Sequence, residues 1–314
     1  MFLQLSNLNK SFGEKKVVKN LSININKGEI LCLLGPSGCG KTTTLKMIGG
    51  FLKVDGGKIQ IEDNDITKLP PEERPVTTVF QSYALFPHLT VLENVIYGLK
   101  FKGYSKKDAK KKGIEYLKIV GLDGSANFKI HEISGGQQQR VAIVRSLIVN
   151  PKVLLLDEPL SNLDAKLRIK MREEIKNIQK KFNMTMVFVT HDQEEALALA
   201  DKIAIMNEGE LIQYGTPEEV YNNPSNIFSM KFLGSANEII DKSGKVFYVR
   251  QENIRISTDG NIYGKIISRD FLGFYNEYTI KIDESIIKIK VPSGGKLYNP
   301  GEKVGLEFQH KVYF

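Results

Sequence analysis

The stretch Gly35-Pro36-Ser37-Gly38-Cys39-Gly40-Lys41-Thr42 decides the fold class of this chain. It follows an apolar run, Glu29-Ile30-Leu31-Cys32-Leu33-Leu34, that predicts a buried strand, and a helical pattern begins at Lys41. Glycines in such a loop allow backbone conformations that direct several N–H groups at a phosphate, and the helix N-terminus adds a positive dipole end. The pattern therefore predicts a loop that binds a nucleoside triphosphate between a strand and a helix.

Two pairs of side chains extend this prediction toward phosphate chemistry. We expect Lys41 to direct its charge at the β- and γ-phosphates and Thr42 to offer its hydroxyl to Mg²⁺. The apolar run Val153-Leu154-Leu155-Leu156 ends in Asp157 and Glu158. We expect Asp157 to hold Mg²⁺ at the carboxyl edge of the sheet, and Glu158 to act on the attacking water as general base. Taken alone, adjacent acids at a strand end are also compatible with a helix cap or an ion pair.

Two further polar residues follow predicted strands. His191 comes after Met184-Thr185-Met186-Val187-Phe188-Val189-Thr190, and Gln81 after Thr77-Thr78-Val79-Phe80. No second histidine lies at zinc spacing, so a zinc site at His191 is not expected. Its position after a predicted sheet strand would let His191 hydrogen-bond the γ-phosphate and sense its presence. Gln81 is expected to ligate Mg²⁺ through its amide oxygen.

Composition limits the class of protein. The chain has 314 residues, of which 41% are hydrophobic and 25% charged, which is typical of one large or two ordinary globular domains. No apolar run reaches the roughly 18 residues of a membrane span, and the first residues do not resemble a signal peptide. Cys32 and Cys39 are too few for a disulfide framework and favour a reducing, cytoplasmic setting.

The net charge of +8 raises the question of a nucleic-acid partner. Seven lysines lie between Lys100 and Lys112, a run compatible with a solvated helix face or with contact to anionic lipid or a protein. No basic surface interleaved with aromatic residues is visible in the sequence, so no nucleic-acid partner is expected.

The order of apolar patterns predicts two domains. Residues 1–235 alternate short strands and helices, which indicates a mostly parallel sheet flanked by helices, with a helical subdomain at about 90–150. Residues 236–314 instead contain short strands separated by turns, which predicts a small antiparallel β-barrel of the OB type. The predicted C-terminal strands are 246–249, 253–256, 262–267, 275–282, 286–291 and 303–308.

Over residues 3–235 the chain resembles the ATP-binding cassette (ABC) ATPases of transporters. Ile133-Ser134-Gly135-Gly136-Gln137 is similar to the family's signature sequence, with Ile in place of the usual Leu. Ser161-Asn162-Leu163-Asp164 resembles the D-loop, Gln81 falls at the Q-loop and His191 at the switch histidine. The resemblance implies a P-loop NTPase fold with a mixed sheet, and it implies that Phe12 stacks on the adenine.

The resemblance also implies a set of site residues. The expected catalytic residues are Glu158, His191, Gln81 and Lys41. The expected Mg²⁺ ligands are Thr42, Gln81 and Asp157. The expected ATP-binding residues are Phe12, Gly35, Pro36, Ser37, Gly38, Cys39, Gly40, Lys41, Thr42, Thr43, Ser134, Gly135, Gly136, Gln137 and Asp164.

In this family the signature sequence contacts the ATP held by a second copy, so the resemblance implies a homodimer with two ATP molecules at its interface. Closing and opening of that dimer would move attached permease subunits. A narrower similarity to binding-protein-dependent importers is carried by Phe80-Gln81-Ser82-Tyr83-Ala84-Leu85-Phe86-Pro87-His88-Leu89-Thr90, by 215–221 and by the added barrel. Leu69-Pro70-Pro71-Glu72-Glu73-Arg74-Pro75 is closer to the polyamine and ferric-iron branches than to the maltose branch.

The expected function is therefore ATP hydrolysis that powers import of a small solute, polyamine or ferric iron, at the cytoplasmic face of the cell membrane. The expected partners are a second copy, permease subunits and, indirectly, an extracytoplasmic solute-binding protein. The alternative is a non-transport ABC ATPase that acts on nucleic acid or ribosomes. The C-terminal domain is short, and Arg250-Gln251-Glu252 replaces the family's Arg-Pro-Glu. Whether it senses a ligand or only supports the dimer stays open.

Overall fold

A computed structural model describes residues 1–241, 243–257, 260, 262–283 and 285–314. The chain forms two compact units, Met1–Asn223 and Pro224–Phe314. The expected boundary after residue 235 stays a prediction, and residues 242, 258, 259, 261 and 284 of that expected domain lie outside the described residues. Within the described ranges, no helix has the length and apolarity that a membrane span requires.

The first unit contains a six-stranded sheet in the order β10-β9-β3-β8-β7-β6, parallel except for β10. Its strands β3 and β8 are buried at every position, which explains why they read as continuous apolar runs. The strands are β3 (Ile30–Leu34), β6 (Val76–Val79), β7 (Val153–Asp157), β8 (Thr185–Thr190), β9 (Lys202–Asn207) and β10 (Glu210–Gly215).

An antiparallel sheet in the order β2-β1-β4-β5 lies in the same unit. Apolar side chains of both sheets and of α1 form one buried cluster, which includes Leu5, Leu33 and Met47. The strands are β1 (Leu3–Phe12), β2 (Lys15–Ile25), β4 (Gly56–Ile61) and β5 (Asn64–Asp65).

The helices of the first unit follow the strands that they connect. Helix α1 begins at Lys41, as expected from the loop that precedes it. The region expected to be helical, about 90–150, contains α2, α3 and α4. The helices are α1 (Lys41–Ile48), α2 (Val91–Ile96), α3 (Lys106–Ile119), α4 (Gly135–Leu147), α5 (Ala165–Phe182), α6 (Gln193–Leu199) and α7 (Pro217–Asn222).

The described part of the second unit has its own core beneath antiparallel strands. Strands β11 and β12 form a ribbon, and five strands pair in the order β13-β17-β14-β15-β16. Tyr278 and Ile280 are fully buried in the cluster beneath them. The elements are α8 (Ile227–Phe232), β11 (Ala236–Ile240), β12 (Val246–Arg250), β13 (Ile254–Ser257), β14 (Ile262–Phe271), β15 (Tyr275–Ile282), β16 (Ser285–Pro292) and β17 (Lys303–Phe308).

Strand β14 is longer than the sequence pattern predicts. The pattern ends at Ile267, whereas the strand continues to Phe271 and pairs there with Asn276 of β15. The register shifts between Ile266 and Ser268, and such an irregularity moves the alternation of side chains by one position.

Candidate functional site

The loop Gly35–Gly40 is shaped by close packing on its glycines. A Cβ on Gly35 would lie 2.2 Å from the carbonyl oxygen of Met206. Gly38 and Gly40 have φ values of +80° and +103°, and Gly40 is the N-cap residue of α1. The glycines therefore permit both the turn and the approach of backbone to backbone, as the motif predicts.

Lys41 lies inside this loop and is almost fully buried. Its Nζ donates hydrogen bonds to the carbonyl oxygens of Gly35 (2.7 Å) and Pro36 (2.9 Å), and lies 3.8 Å from Sγ of Cys39. Neutral carbonyls compensate its charge only in part, so the loop is a site of positive potential at the N-terminus of α1.

Four neighbouring parallel strands end at the same edge of the sheet: β3, β8, β7 and β6. The loop before Lys41 follows β3, Asp157 ends β7, His191 follows β8, and Gln81 lies two residues after the end of β6. The fold thus places these predicted residues along one edge, where open α/β sheets bind ligands.

Thr42 and Asp157 meet directly across this edge. Thr42 Oγ1 donates to Oδ1 of Asp157 at 3.2 Å. Burial raises the pKa of Asp157, and the Thr42 hydrogen bond and the charge of Lys46 oppose that shift. A hydroxyl and a carboxylate this close form a pair of hard oxygen donors. Among the described residues, no group of three or more His, Cys, Asp or Glu side chains is arranged to hold a metal ion.

Glu158 contacts two residues that follow other strands of the sheet. Its Oε2 accepts a hydrogen bond from Nε2 of Gln81 (3.4 Å), and its Oε1 lies 3.4 Å from Nδ1 of His191. Glu158 lies one residue beyond β7 and has a φ of +45°, so the alternation of side chains along a strand does not set its direction. Its N–H donates to the carbonyl of Val189, so a left-handed backbone held by β8 directs the carboxylate.

The contact between Gln81 and the D-loop segment, residues 161–164, was not predicted from the sequence. Gln81 Nε2 donates to Oγ of Ser161 at 3.0 Å, and Asn162 Nδ2 donates to the Gln81 carbonyl at 3.1 Å. With the nitrogen engaged, the amide oxygen has no hydrogen-bond partner within the part of the chain that the structure describes. No local signal indicates this contact, because about 80 residues separate Gln81 from the segment.

The remaining predicted residues lie in several elements of the first unit, and their expected contacts with nucleotide stay predictions. Asp164 caps α5 by accepting from the N–H of Leu167 (2.9 Å), and Phe12 is half exposed at the end of β1 with Lys10 over its ring. Pro36, Ser37 and Thr43 lie in the loop and the first turn of α1 without a side-chain hydrogen bond among the described residues.

The signature segment forms the start of α4. Ser134 is the N-cap residue, and its hydroxyl accepts from the N–H of Gln137, whose side-chain oxygen accepts from the N–H of Ser134. Gly135 and Gly136 form the first turn, and a Cβ on Gly136 would lie 3.1 Å from Leu167. In the described residues, no hydrogen bond joins this segment to the Gln81, Glu158 and His191 cluster.

Comparison with known families decides between the classes of ATPase. Residues 18–161 match the model of the ABC transporter family, and residues 247–313 match the TOBE domain. The chain is 44% identical to the spermidine/putrescine import ATP-binding protein PotA of Acetivibrio thermocellus over 97% of this chain and 93% of the relative. The chain belongs to the ABC transporter family. The fold class and the expectation of an ATP-hydrolysing importer subunit are confirmed, and the nucleic-acid or ribosome alternative is not supported.

Other relatives and solved structures agree with that assignment. The Fe(3+) ions import ATP-binding protein FbpC of Rhizobium etli is 42% identical over 97% of this chain and 95% of the relative. The dimeric post-hydrolysis structure of the ATP-binding cassette MJ0796 bound to ADP and Pi is 35% identical, with a TM-score of 0.60, and covers 68% of this chain and 98% of that structure's chain. The ADP conformation of the cassette MJ1267 is 28% identical, with a TM-score of 0.64, over 73% of this chain and 97% of that chain.

Proposed function

We propose that this ABC ATPase energises import of a polyamine or of ferric iron through a membrane permease. The names of its relatives support both solutes, since PotA proteins are described for spermidine and putrescine and FbpC for Fe(3+). The observation that carries the catalytic part is the grouping of Gln81, Glu158 and His191 beside the Thr42–Asp157 pair.

The oxygen donors at this edge suit Mg²⁺ with a triphosphate. Thr42 Oγ1, a carboxylate oxygen of Asp157 and the amide oxygen of Gln81 would hold the ion, which prefers oxygen ligands and retains water or phosphate oxygens in its shell. When bound, Mg²⁺ neutralises charge that develops on the phosphates. The Gly35–Gly40 loop, Lys41 and Thr43 would receive the phosphates, and Phe12 would stack on the adenine.

Glu158 is the residue that would accept a proton from the attacking water. Its two oxygens lie within 3.4 Å of the side chains of Gln81 and His191, which orient it. General-base catalysis requires a carboxylate within hydrogen-bond reach of the water, and Glu158 lies one residue beyond Asp157, the proposed Mg²⁺ ligand. His191 is largely exposed and would contact the γ-phosphate.

A second copy of the chain would complete the site. Ser134, Gly135, Gly136 and Gln137 present the N-terminus of α4, a 13-residue helix, which favours an anionic group. Dimeric structures of the cassette MJ0796 support a homodimer. In the proposed homodimer, this segment and Asp164 would contact the nucleotide held by the partner. The assembly would include permease subunits at the cytoplasmic face of the membrane and, indirectly, a solute-binding protein, without a nucleic-acid partner.

Replacing the proposed base tests the catalytic assignment. Glu158→Gln is expected to lower kcat by at least about a hundredfold, because general-base catalysis contributes on the order of 10² to 10⁴. ATP binding and ATP-dependent dimerisation should persist, since the Gly35–Gly40 loop and Lys41 are unchanged. Steady-state ATPase and size-exclusion chromatography with ATP measure both, with Glu115→Gln on the exposed face of α3 as a control. Wild-type turnover in Glu158→Gln would refute the assignment.

Uptake measurements test the solute. A strain without this gene is expected to lose uptake of labelled spermidine, putrescine or ferric iron, with restoration by the wild type and not by Glu158→Gln. Unchanged uptake of all three, with loss of maltose uptake, would contradict the proposed solute class and leave the ATPase assignment intact.

A further inference from the structure

The segment after Gln81 has a strained backbone. Tyr83 and Ala84 are consecutive residues with φ values of +60° and +46°. Residues with a Cβ rarely adopt this left-handed backbone conformation. Each one that does so raises the conformational energy of the folded chain. A pair of them persists only where other groups over-determine the conformation.

Arg145 supplies that constraint from another element. Its Nη1 donates to the carbonyl oxygen of Ala84 at 2.8 Å and its Nη2 to that of Tyr83 at 2.9 Å. The planar guanidinium presents its donors as a fixed fork, which matches two successive carbonyls and which a lysine ammonium cannot reproduce. The guanidinium carbon also lies 5.5 Å from the centroid of the Phe86 ring.

A second residue fixes the far end of the same segment. The fully buried Asn94 accepts from the N–H of Phe86 at 2.8 Å and donates to its carbonyl at 3.0 Å. The near end is Gln81, whose amide reaches Glu158 and Ser161. Tyr83 and Ala84 are therefore the link between a fixed point at Phe86 and the amide that contacts Glu158.

Arg145 lies in the last turn of α4, the helix that Ser134 caps. We propose that Arg145 is a positioning residue: by holding Tyr83 and Ala84 in the left-handed turn, it keeps Gln81 against Glu158 and couples the position of α4 to hydrolysis. This inference rests on the proposed roles of Glu158 and Gln81. Because Arg145 acts through Gln81, it affects the chemical step and not the loop that binds phosphate.

The test separates kcat from KM in the full-length protein. Arg145→Gln is expected to lower kcat for ATP hydrolysis about tenfold, the order that one strained left-handed residue represents, while KM for ATP changes less than about twofold. Arg145→Lys should lose nearly as much, because one ammonium cannot bond both carbonyls in the same geometry. Lys118→Gln removes an exposed charge from α3 and should leave kcat unchanged.

A rescue experiment distinguishes positioning from general support of the fold. Glycine adopts positive φ without strain, so Ala84→Gly in the Arg145→Gln background should recover kcat several-fold. Ala84→Gly alone should change kcat little. Wild-type kcat in both Arg145 variants, or a loss that Ala84→Gly does not relieve, would overturn the inference. Full turnover in Glu158→Gln would instead refute the proposed function on which the inference rests.

Discussion

At the scale of single residues, Gly38 and Gly40 of the Gly35–Gly40 loop are under different physical constraints. Gly38 needs glycine only for its φ of +80°, since a Cβ there would meet open space. Gly40 needs it twice, because its φ is +103° and a Cβ would lie 2.6 Å from the carbonyl oxygen of Val17. Glycines of one motif are therefore required for different reasons. Part of the requirement comes from backbone conformation and packing within the protein and not from the nucleotide.

The different constraints on Gly38 and Gly40 predict different effects of substitution on stability in the absence of nucleotide. Gly38→Ala should lower the free energy of unfolding by about 1 to 2 kcal/mol through backbone strain alone. Gly40→Ala should lower it further, because the strand that carries Val17 must also shift. Urea unfolding of both variants measures the difference. Equal losses of unfolding free energy would show that the strand carrying Val17 shifts without an energetic cost.

At the scale of elements, one arginine connects α5, α6 and the end of β8. Arg168 of α5 bonds Asp192 at 2.9 Å and lies 3.7 Å from Glu195. Glu195 accepts from the hydroxyl of Thr190 at 2.7 Å and is 3% exposed. The residues on both sides of His191 are therefore held by a network that joins them to α5. Sequence patterns gave no indication of it, because Arg168 lies 24 residues from Asp192 in the chain.

Burial raises the pKa of Glu195, with Asp192 adding to the shift and the Thr190 hydrogen bond and Arg168 opposing it. A raised pKa means that this group's contribution to stability is complete below the unfolded value of about 4.3 and is lost as pH rises through the folded value. Glu195→Gln should therefore match the wild type near pH 4 and become the more stable protein as pH rises to neutral.

Thermal unfolding of Glu195→Gln and the wild type between pH 4 and pH 8 measures this difference. Glu194→Gln is the matched control, since the neighbouring carboxylate is 84% exposed and should show little dependence. A stability difference that is constant across the range would contradict the assigned cause.

At the scale of the whole molecule, the two units have separate hydrophobic cores. The core of the first unit contains side chains from both of its sheets, including Leu33 of β3, the strand that precedes the phosphate loop. The core of the second lies beneath β14, β15 and β16 and includes Ile280. Each unit buries its own apolar surface, which is the main requirement for a cooperative unfolding unit.

Separate cores predict two calorimetric transitions with different sensitivities. Ile280→Ala should destabilise the transition of the second unit by about 2 to 5 kcal/mol, through lost burial and the cavity it leaves. The transition of the first unit should stay in place and should alone rise with ATP and Mg²⁺, because a ligand stabilises the unit that binds it. A single transition displaced as a whole would show that the units unfold together.

Local patterns were sufficient for the elements that carry a strict local requirement. The loop before α1, the buried runs β3, β7 and β8 and the strands β12, β13, β15, β16 and β17 of the second unit were predicted close to their observed bounds. Strand β14 extends beyond its predicted end, and β11 was not predicted. The antiparallel sheet of β1, β2, β4 and β5 received no bounds. In this sheet, the pairing of β1 with β2 and β4 contains register shifts. Register shifts interrupt the alternation of apolar and polar residues on which strand prediction depends.

The sequence by itself determined the family, the order of the motifs and the residue types at the sheet edge, because each motif depends on neighbours in the chain. Only the tertiary structure decided that Gln81 meets Glu158 and Ser161, that a left-handed backbone directs Glu158, and that Arg145 bonds the carbonyls of Tyr83 and Ala84. Those contacts join residues tens of positions apart. They follow from the lateral order of parallel strands and from the packing of α4, and short-range periodicity encodes neither.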